Sequence, residues 1–276
     1  MPWREARSSD AQLAGRDRYP LLRCRDCHSA WIVPEERPSD AARLYAEGTY
    51  AQPLANVARA LRPLRAVADA ERLSFLRGVP SGARILELGS GDGRFVEGLR
   101  RRGFDVHGTD PFPRGGGVGV VSAEAIEAEP GTYDVVIAWH VLEHLDDPEE
   151  SLRRARRALI AGGRIVVATP NLGSFQARLG GDRWFHQDVP RHTVLFTAVG
   201  LEALLRRCGF GSVRICHFGV QQNLLGMWQT IVNRLTREQD VPFRAVKRMG
   251  RRSRSDVARA AVGGVVALPV ATPSRP

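Results

Sequence analysis

Four of the seven histidines fall in two short segments, His140 and His144 in one, His186 and His192 in the other. Imidazole changes charge near neutral pH, which suits it to general-base work, and it is a common metal ligand. His140, Glu143 and His144 stand at i, i+3 and i+4, so one helical turn puts all three on one face. Two readings of that trio stay open. In one, the two imidazoles and the carboxylate are ligands of a metal ion. In the other reading, Glu143 and His144 open a helix and make backbone or packing contacts. A second cluster is Glu87-Leu-Gly89-Ser-Gly91-Asp-Gly93. Its glycines permit φ > 0 and let a ligand approach the backbone where a helix starts.

The elements that must position these residues are legible from Ala83 onward. Arg84–Leu88 reads as a short apolar strand that turns through the glycines into a helix carrying Phe95, Val96 and Leu99. Phe104–Gly108, Gly119–Ser122, Tyr133–Ala138, Arg164–Ala168 and Ser212–Cys216 read as further strands. A helix is expected at Pro148–Ile160, with Asp147 as cap, Pro148 first, Glu149 and Glu150 in its first turn, and Gly162-Gly163 as its stop. Thr197 caps another that stops at Gly209. Repeated strand–helix units imply an α/β fold, a mostly parallel sheet with helices on both faces. Ahead of it, residues 1–38 read as irregular. Ser39 caps a short helix ending near Gly48, and Leu54–Leu76 reads as a helix that Pro63 kinks or splits.

A dinucleotide fingerprint reads G-x-G-x-x-G, and Arg94 stands where its last glycine belongs. The spacing G-x-G-x-G with Glu87 two residues ahead resembles instead the first motif of the class I S-adenosylmethionine (SAM) methyltransferases. Four further segments resemble the same family, in its order. They are Asp110 after the second strand, Trp139-His140-Val-Leu-Glu143-His144 after the fourth, Gly162–Asn171 at the fifth, and Pro190-Arg-His192-Thr-Val-Leu-Phe196-Thr. The resemblance spans Val79–Cys216.

That resemblance implies a Rossmann-like sheet of seven strands with SAM as cofactor. Glu87 and the backbone around Gly89, Gly91 and Gly93 would hold its methionine end, and Asp110 the ribose hydroxyls. Ala123 and Glu124 would cover adenine, with Trp139 beside the cofactor. The implied organisation is a partial ribbon-like segment over 1–38 and a helical cap or lid over 39–78. The methyltransferase domain takes 79–243 and a tail 244–276. Methyl transfer needs alignment above all, and a hydroxyl acceptor also needs a base. His192 is the first candidate base, His140 the next, and His144 the third. The trio also looks like the E-x-x-E-H metal cluster of some O-methyltransferases, with His140 in place of the first Glu and His192 as a fourth ligand, a set that would suit Zn²⁺, Mn²⁺ or Fe²⁺ better than Mg²⁺. No Asn/Asp-Pro-Pro-aromatic motif follows the fourth strand and no Pro-Cys pair occurs, so methylation of nucleic-acid bases is not expected. A small hydroxylated acceptor, such as a sugar or a secondary-metabolite scaffold, remains.

Cys24-x-x-Cys27-His28 with Trp31 and Pro34 resembles half of a zinc ribbon. A closed zinc site needs four ligands, so a degenerate ribbon held by Trp31 and Ile32 is expected. Four cysteines are too few for a disulfide scaffold. No apolar run follows Met1, which leads to the expectation of a cytoplasmic protein. The formal net charge is +10, but all basic residues except Lys247 are Arg. From Arg244 onward eight basic residues face Asp256 alone, so the tail holds +7 and residues 1–243 only +3. Basicity therefore concerns the tail, and peripheral contact with an anionic membrane is one expectation for it. Oligomeric state is not legible. The competing readings are a nucleic-acid-binding module built on the CxxC and the Arg-rich tail, and an NAD(P)-linked oxidoreductase.

Overall fold

The chain's N-terminal part departs from expectation first. In the computed structural model, which describes residues 1–9, 15–38, 44, 62–111, 130–217 and 219–236, the opening segment is not irregular. β1 (Pro2–Arg7), β2 (Arg18–Arg23) and β3 (Ala30–Ile32) form an antiparallel sheet. Ala6, Tyr19, Leu21, Ala30 and Ile32 point into one buried cluster, the alternation a half-buried sheet requires. The sequence hid this because Arg and Pro take most of the other strand positions. The Ser39-capped helix, the Gly119–Ser122 strand, Ala123, Glu124 and the 244–276 tail lie outside the described residues.

The described part of the helix expected over Leu54–Leu76 is α1 (Arg62–Ser74). It precedes β4 (Arg84–Leu88), α2 (Arg94–Arg100), β5 (Asp105–Thr109) and β6 (Tyr133–Trp139). α3 (Pro148–Ala158) and β7 (Leu159–Ala168) complete a parallel sheet of order β5-β4-β6-β7. Four strands are described in it; the expected count of seven is not reached among the described residues. Asp147 caps α3 as expected, its Oδ1 accepting from Glu150 N–H at 2.9 Å. The helix stops earlier than expected, however. Leu159, buried against Tyr133, already pairs with it as strand, and Gly162-Gly163 lie inside β7 at a register shift. Gly162 has φ 79°, and a Cβ on Gly163 would crowd the Asp134 carbonyl at 3.2 Å. These glycines serve a strand irregularity, not a helix stop.

After α4 (Phe175–Gly180) comes β8 (Val194–Leu195), then α5 (Ala198–Arg207) and α6 (Val220–Thr236). Ser212–Cys216 is not a strand. Residues 212–217 line the same cavity as β7. No helix among the described residues is long and apolar enough to cross a membrane.

β8 joins the N-terminal sheet: Ala30 pairs with Leu195 and Trp31 with Val194. Residues 1–38 and the region after β7 thus share one sheet. The turn carrying Cys24, Cys27 and His28 docks on the start of α5. Thr197 Oγ1 donates to the Cys27 carbonyl at 2.6 Å and accepts from Gly200 N–H at 3.0 Å as the α5 cap. A Cβ on Gly200 would overlap Ser29 Oγ and lie 3.1 Å from Cys27 Sγ. Gly200→Ala is therefore expected to destabilise the fold by about 1–3 kcal/mol, as overpacking does. Gly211→Ala, with nothing within 4 Å, is expected to be near neutral. Equilibrium denaturation of both variants checks this.

Candidate functional site

β5 lies on one side of β4 and β6 on the other, so the carboxyl ends of β4 and β6 form a topological switch point. In such sheets ligands bind there. The glycine loop occupies it: Gly89, Gly91 and Gly93 have φ of 67°, 59° and 71°. A Cβ on Gly89 would overlap Val141 Cγ2, so the loop passes directly beneath the segment that follows β6. Gly91 N–H donates to Asp110 Oδ2 at 2.7 Å, which ties the loop to the end of β5. Glu87, in β4, is 1% exposed. Its Oε1 accepts from Arg72 Nη2 at 2.8 Å, while its Oε2 is buried without a hydrogen-bond partner. Burial pushes the Glu87 carboxyl up to about 7, against the opposing charge of Arg72. A cationic amine delivered over the glycine loop would satisfy that orphaned oxygen. The donor set therefore fits the amino-acid end of SAM.

β6 ends at Trp139, and His140 follows with a left-handed φ of 55°. That turn directs His140 into a cavity of about 840 Å³ lined also by Phe75, Trp139, Thr169, Asn171 and His186. Behind it, Glu143 Oε1 lies 3.1 Å from His140 Nδ1. Glu143 is 1% exposed. Burial alone would raise its carboxyl, but the His140 hydrogen bond and the charges of His140, His144 and His192 outweigh burial and hold it at about 2. A carboxylate only accepts, so Nδ1–H donates, and in the neutral ring Nε2 is the accepting nitrogen. Ring orientation and tautomer are set together.

His192 is placed differently from expectation. It is buried, it is not among the residues that line the cavity, and its Nδ1 donates to the His186 carbonyl at 2.9 Å. Burial first, then the neighbouring His144 charge, lowers its imidazole to about 4. His192 thus stands among buried groups, while His140 lines the cavity. His144 is not among the lining residues either, its ring 4.6 Å from that of His192 and its Nδ1 donating to the Arg191 carbonyl at 3.0 Å. Donor atoms of Glu143, His144 and His192 lie within 4.8 Å of one another, a carboxylate–imidazole set that could hold a divalent cation. His140 is not part of that set; it faces the cavity. The loop is anchored from below by Arg191, whose Nε donates to Asp188 Oδ2 at 3.1 Å and whose Nη2 donates to Ser9 Oγ at 2.9 Å.

Residues 56–214, more than half of the chain, match the family described as "Methyltransferase domain". The chain belongs to that family. Among curated relatives, this methyltransferase-family chain is similar to a "Ubiquinone biosynthesis O-methyltransferase" of Azorhizobium caulinodans. The two are 33% identical over 175 residues, covering 55% of this chain and 62% of the relative. A protein of the same name from Cupriavidus pinatubonensis is 30% identical over 141 residues, covering 44% and 57%. The chain thus spans about three-fifths of the length of these relatives. Among solved structures, the Haemonchus contortus phosphoethanolamine N-methyltransferase 2 in complex with SAM is 17% identical with a TM-score of 0.48. That match covers 71% of this chain and 46% of the other. Family membership displaces the oxidoreductase reading of the glycine loop.

Within this methyltransferase fold, Glu87, Gly89, Gly91, Gly93 and Asp110 come together at the switch point, and Trp139 separates them from His140 along the same strand end. Ala123 and Glu124 lie outside the described residues. Arg72 was missed, because a charge on an amphipathic helix reads as solvent-facing. Its guanidinium instead stacks 4.1 Å from the Phe95 ring centroid and 5.2 Å from that of Trp139. Cys24 and Cys27 occupy the turn between β2 and β3, away from the cavity lining.

Proposed function

We propose that the chain is a SAM-dependent methyltransferase that methylates a hydroxyl of a small molecule bound in the cavity, with His140 as general base. One observation carries this reading. A histidine at the switch point faces the cavity with its ring fixed by a buried carboxylate. The relatives' names, which specify O-methylation, support the choice of a hydroxyl. Bound SAM would supply the methyl group and its own leaving group. Glu87 and the glycine loop would hold its methionine end and Asp110 its ribose. His140 Nε2 would accept the hydroxyl proton while Glu143 keeps the imidazolium oriented. Cavity walls of Phe75 and Trp139 would position an acceptor with an apolar face, and Asn171 and Thr169 would offer it polar contacts.

Isothermal titration with SAM, followed by a screen of small hydroxylated compounds for label gained from methyl-labelled SAM, tests the reading. SAM binding and an alkali-stable methyl ether are expected. Absence of SAM binding would overturn it.

Glu87 adds a pH signature. An ammonium group binds its ionised form, and the ligand-free carboxyl titrates at about 7. SAM affinity is therefore expected to fall as pH drops, by more than tenfold between pH 7.5 and pH 5.5. Glu87→Gln is expected to bind weakly and with a flat profile over the same range. A wild-type affinity constant across that range would contradict the assignment of Glu87.

A further inference from the structure

We propose that the outward face of α6 is a docking surface for an anionic lipid membrane. The protein binds that surface peripherally through Leu224, Trp228, Ile231 and Leu235, together with the basic segment that follows the helix. Nothing in this depends on the methyl-transfer reading.

α6 is amphipathic in the reverse sense. Gly226, Gln229, Thr230 and Asn233 form its buried side. Leu224, Trp228, Ile231 and Leu235 recur at i, i+4, i+7 and i+11, one stripe along the opposite side, and are 64%, 53%, 42% and 78% exposed. A helix that only completed the fold would turn those side chains inward. The buried side fixes the rotation. Asn233 Nδ2 donates to the Arg183 carbonyl at 3.3 Å, and Thr230 Oγ1 accepts from Phe185 N–H at 3.2 Å. Gln229 Nε2 donates to Asn233 Oδ1 at 3.2 Å. A Cβ on Gly226 would overlap His186 Nε2. Rolling the helix to bury its apolar stripe would strip these bonds and set bulk where glycine is required. A contiguous exposed apolar stripe of this kind marks an interaction surface.

Charge names the occupant. Arg234 is the only charged residue from Val220 to Thr236, so the helix brings no carboxylate to repel anionic headgroups. The chain then runs into residues 244–259, with seven basic residues against Asp256. Membrane affinity of an amphipathic face grows with the apolar area it buries and with attraction to anionic lipid, and this stretch of chain supplies both. A second copy of the chain would bring a like-charged segment to the same face and no acidic partner for it. Asn223, on the same helix, lines the cavity, so docking would hold that cavity close to the bilayer surface.

Vesicle flotation of the full chain tests this, with phosphatidylcholine alone and with phosphatidylcholine containing about one-third phosphatidylglycerol. Binding at least about tenfold tighter to the anionic vesicles is expected, falling as salt is raised. Trp228 reports the face on the unaltered protein, because the other four tryptophans are buried or half-buried. Its emission should shift to the blue on binding and be quenched by acyl chains brominated near the headgroup. Trp228→Phe should lose that signal and keep binding within about threefold. Ile231→Gln combined with Leu235→Gln should weaken binding on the order of 10–100-fold at unchanged Tm, since both side chains are exposed. Arg251→Gln, Arg252→Gln and Arg254→Gln together should remove most of the preference for anionic lipid. Absence of binding to either vesicle, or binding that leaves Trp228 unquenched, would overturn the proposal. So would a dimer in lipid-free solution that the Ile231→Gln, Leu235→Gln pair dissolves, which would give the face to a second copy.

Discussion

Replacing His140 with Asn is expected to lower kcat about 10²–10⁴-fold, the usual contribution of a positioned base, while SAM affinity stays within twofold. Asn is the chosen replacement for a backbone reason. His140 has φ 55°, a left-handed conformation that Asn adopts more readily than Ala or Leu. The variant should therefore keep the strand end, the Val141 contact over Gly89, and the fold of the loop. His140 touches the cavity and its partner Glu143 does not line it, so removing the imidazole takes away proton acceptance together with the hydrogen bond to the buried Glu143 carboxylate, which the asparagine amide can in part replace. His192→Asn makes the comparison sharp. Its imidazole is buried on the His186 carbonyl, so its loss should appear as lower thermal stability with a smaller change in kcat per folded molecule. The opposite ranking, with kcat abolished by His192→Asn and preserved by His140→Asn, would return the base role to His192.

The largest stability effect is expected at Arg191. Its side chain is 1% exposed and that of Asp188 is 12% exposed, and two hydrogen bonds join them. Arg191→Met leaves the Asp188 carboxylate buried without its cation. Breaking a buried pair in this way costs about 3–5 kcal/mol, which for a chain of this size lowers Tm by roughly 10 °C. Asp188 opposes its own burial through the Arg191 and His192 charges, and these hold its carboxyl well below the usual range. The stabilisation is accordingly full at neutral pH and is lost only as acid protonates Asp188 below ordinary carboxylate values. The damage should extend beyond the pair. Arg191 also reaches Ser9 in the N-terminal segment, and its carbonyl orients His144. Urea unfolding of Arg191→Met, Asp188→Asn and the double variant checks the coupling. The double variant should lose less than the two single losses added together. A loss under 1 kcal/mol in Arg191→Met would remove the pair from its anchoring role.

The parts of the site legible in the chain were those set by local chemistry. Gly89, Gly91 and Gly93 declare themselves because few residues other than glycine accept their positive φ beside a ligand. Asp147-Pro148-Glu149-Glu150 declares the start of α3 because a cap acts within one turn. The end of that same helix was not legible. Leu159 and Ile160 suit either element, and the choice is made by Tyr133, which offers Leu159 a strand partner. Residues 1–38 concealed three strands for a related reason. The second partner of β3, β8, lies more than 160 positions further on, and no local pattern records a pairing at that range.

The histidines divide along the same line. Residue type and spacing allowed His140, His144 and His192 each to serve as base or metal ligand, because both roles ask for an imidazole near a carboxylate. Which of them meets a substrate depends on where the wall of the cavity runs, and that is a property of packed elements. His140 lines the cavity, and His144 and His192 are not among the residues that line it. In the same way, Arg72 is an ordinary helix charge until α1 lays it across Phe95 beside Glu87. The sequence by itself determined the family, the glycine cradle and the acidic residues at the ends of β4 and β5, since their chemistry is local to a few bonds. Only the tertiary structure decided which histidine lines the cavity, the partner of Glu87 and the union of the N-terminal strands with β8. Those depend on contacts between segments far apart in the chain, where burial and hydrogen bonding select one arrangement from many that the residues permit.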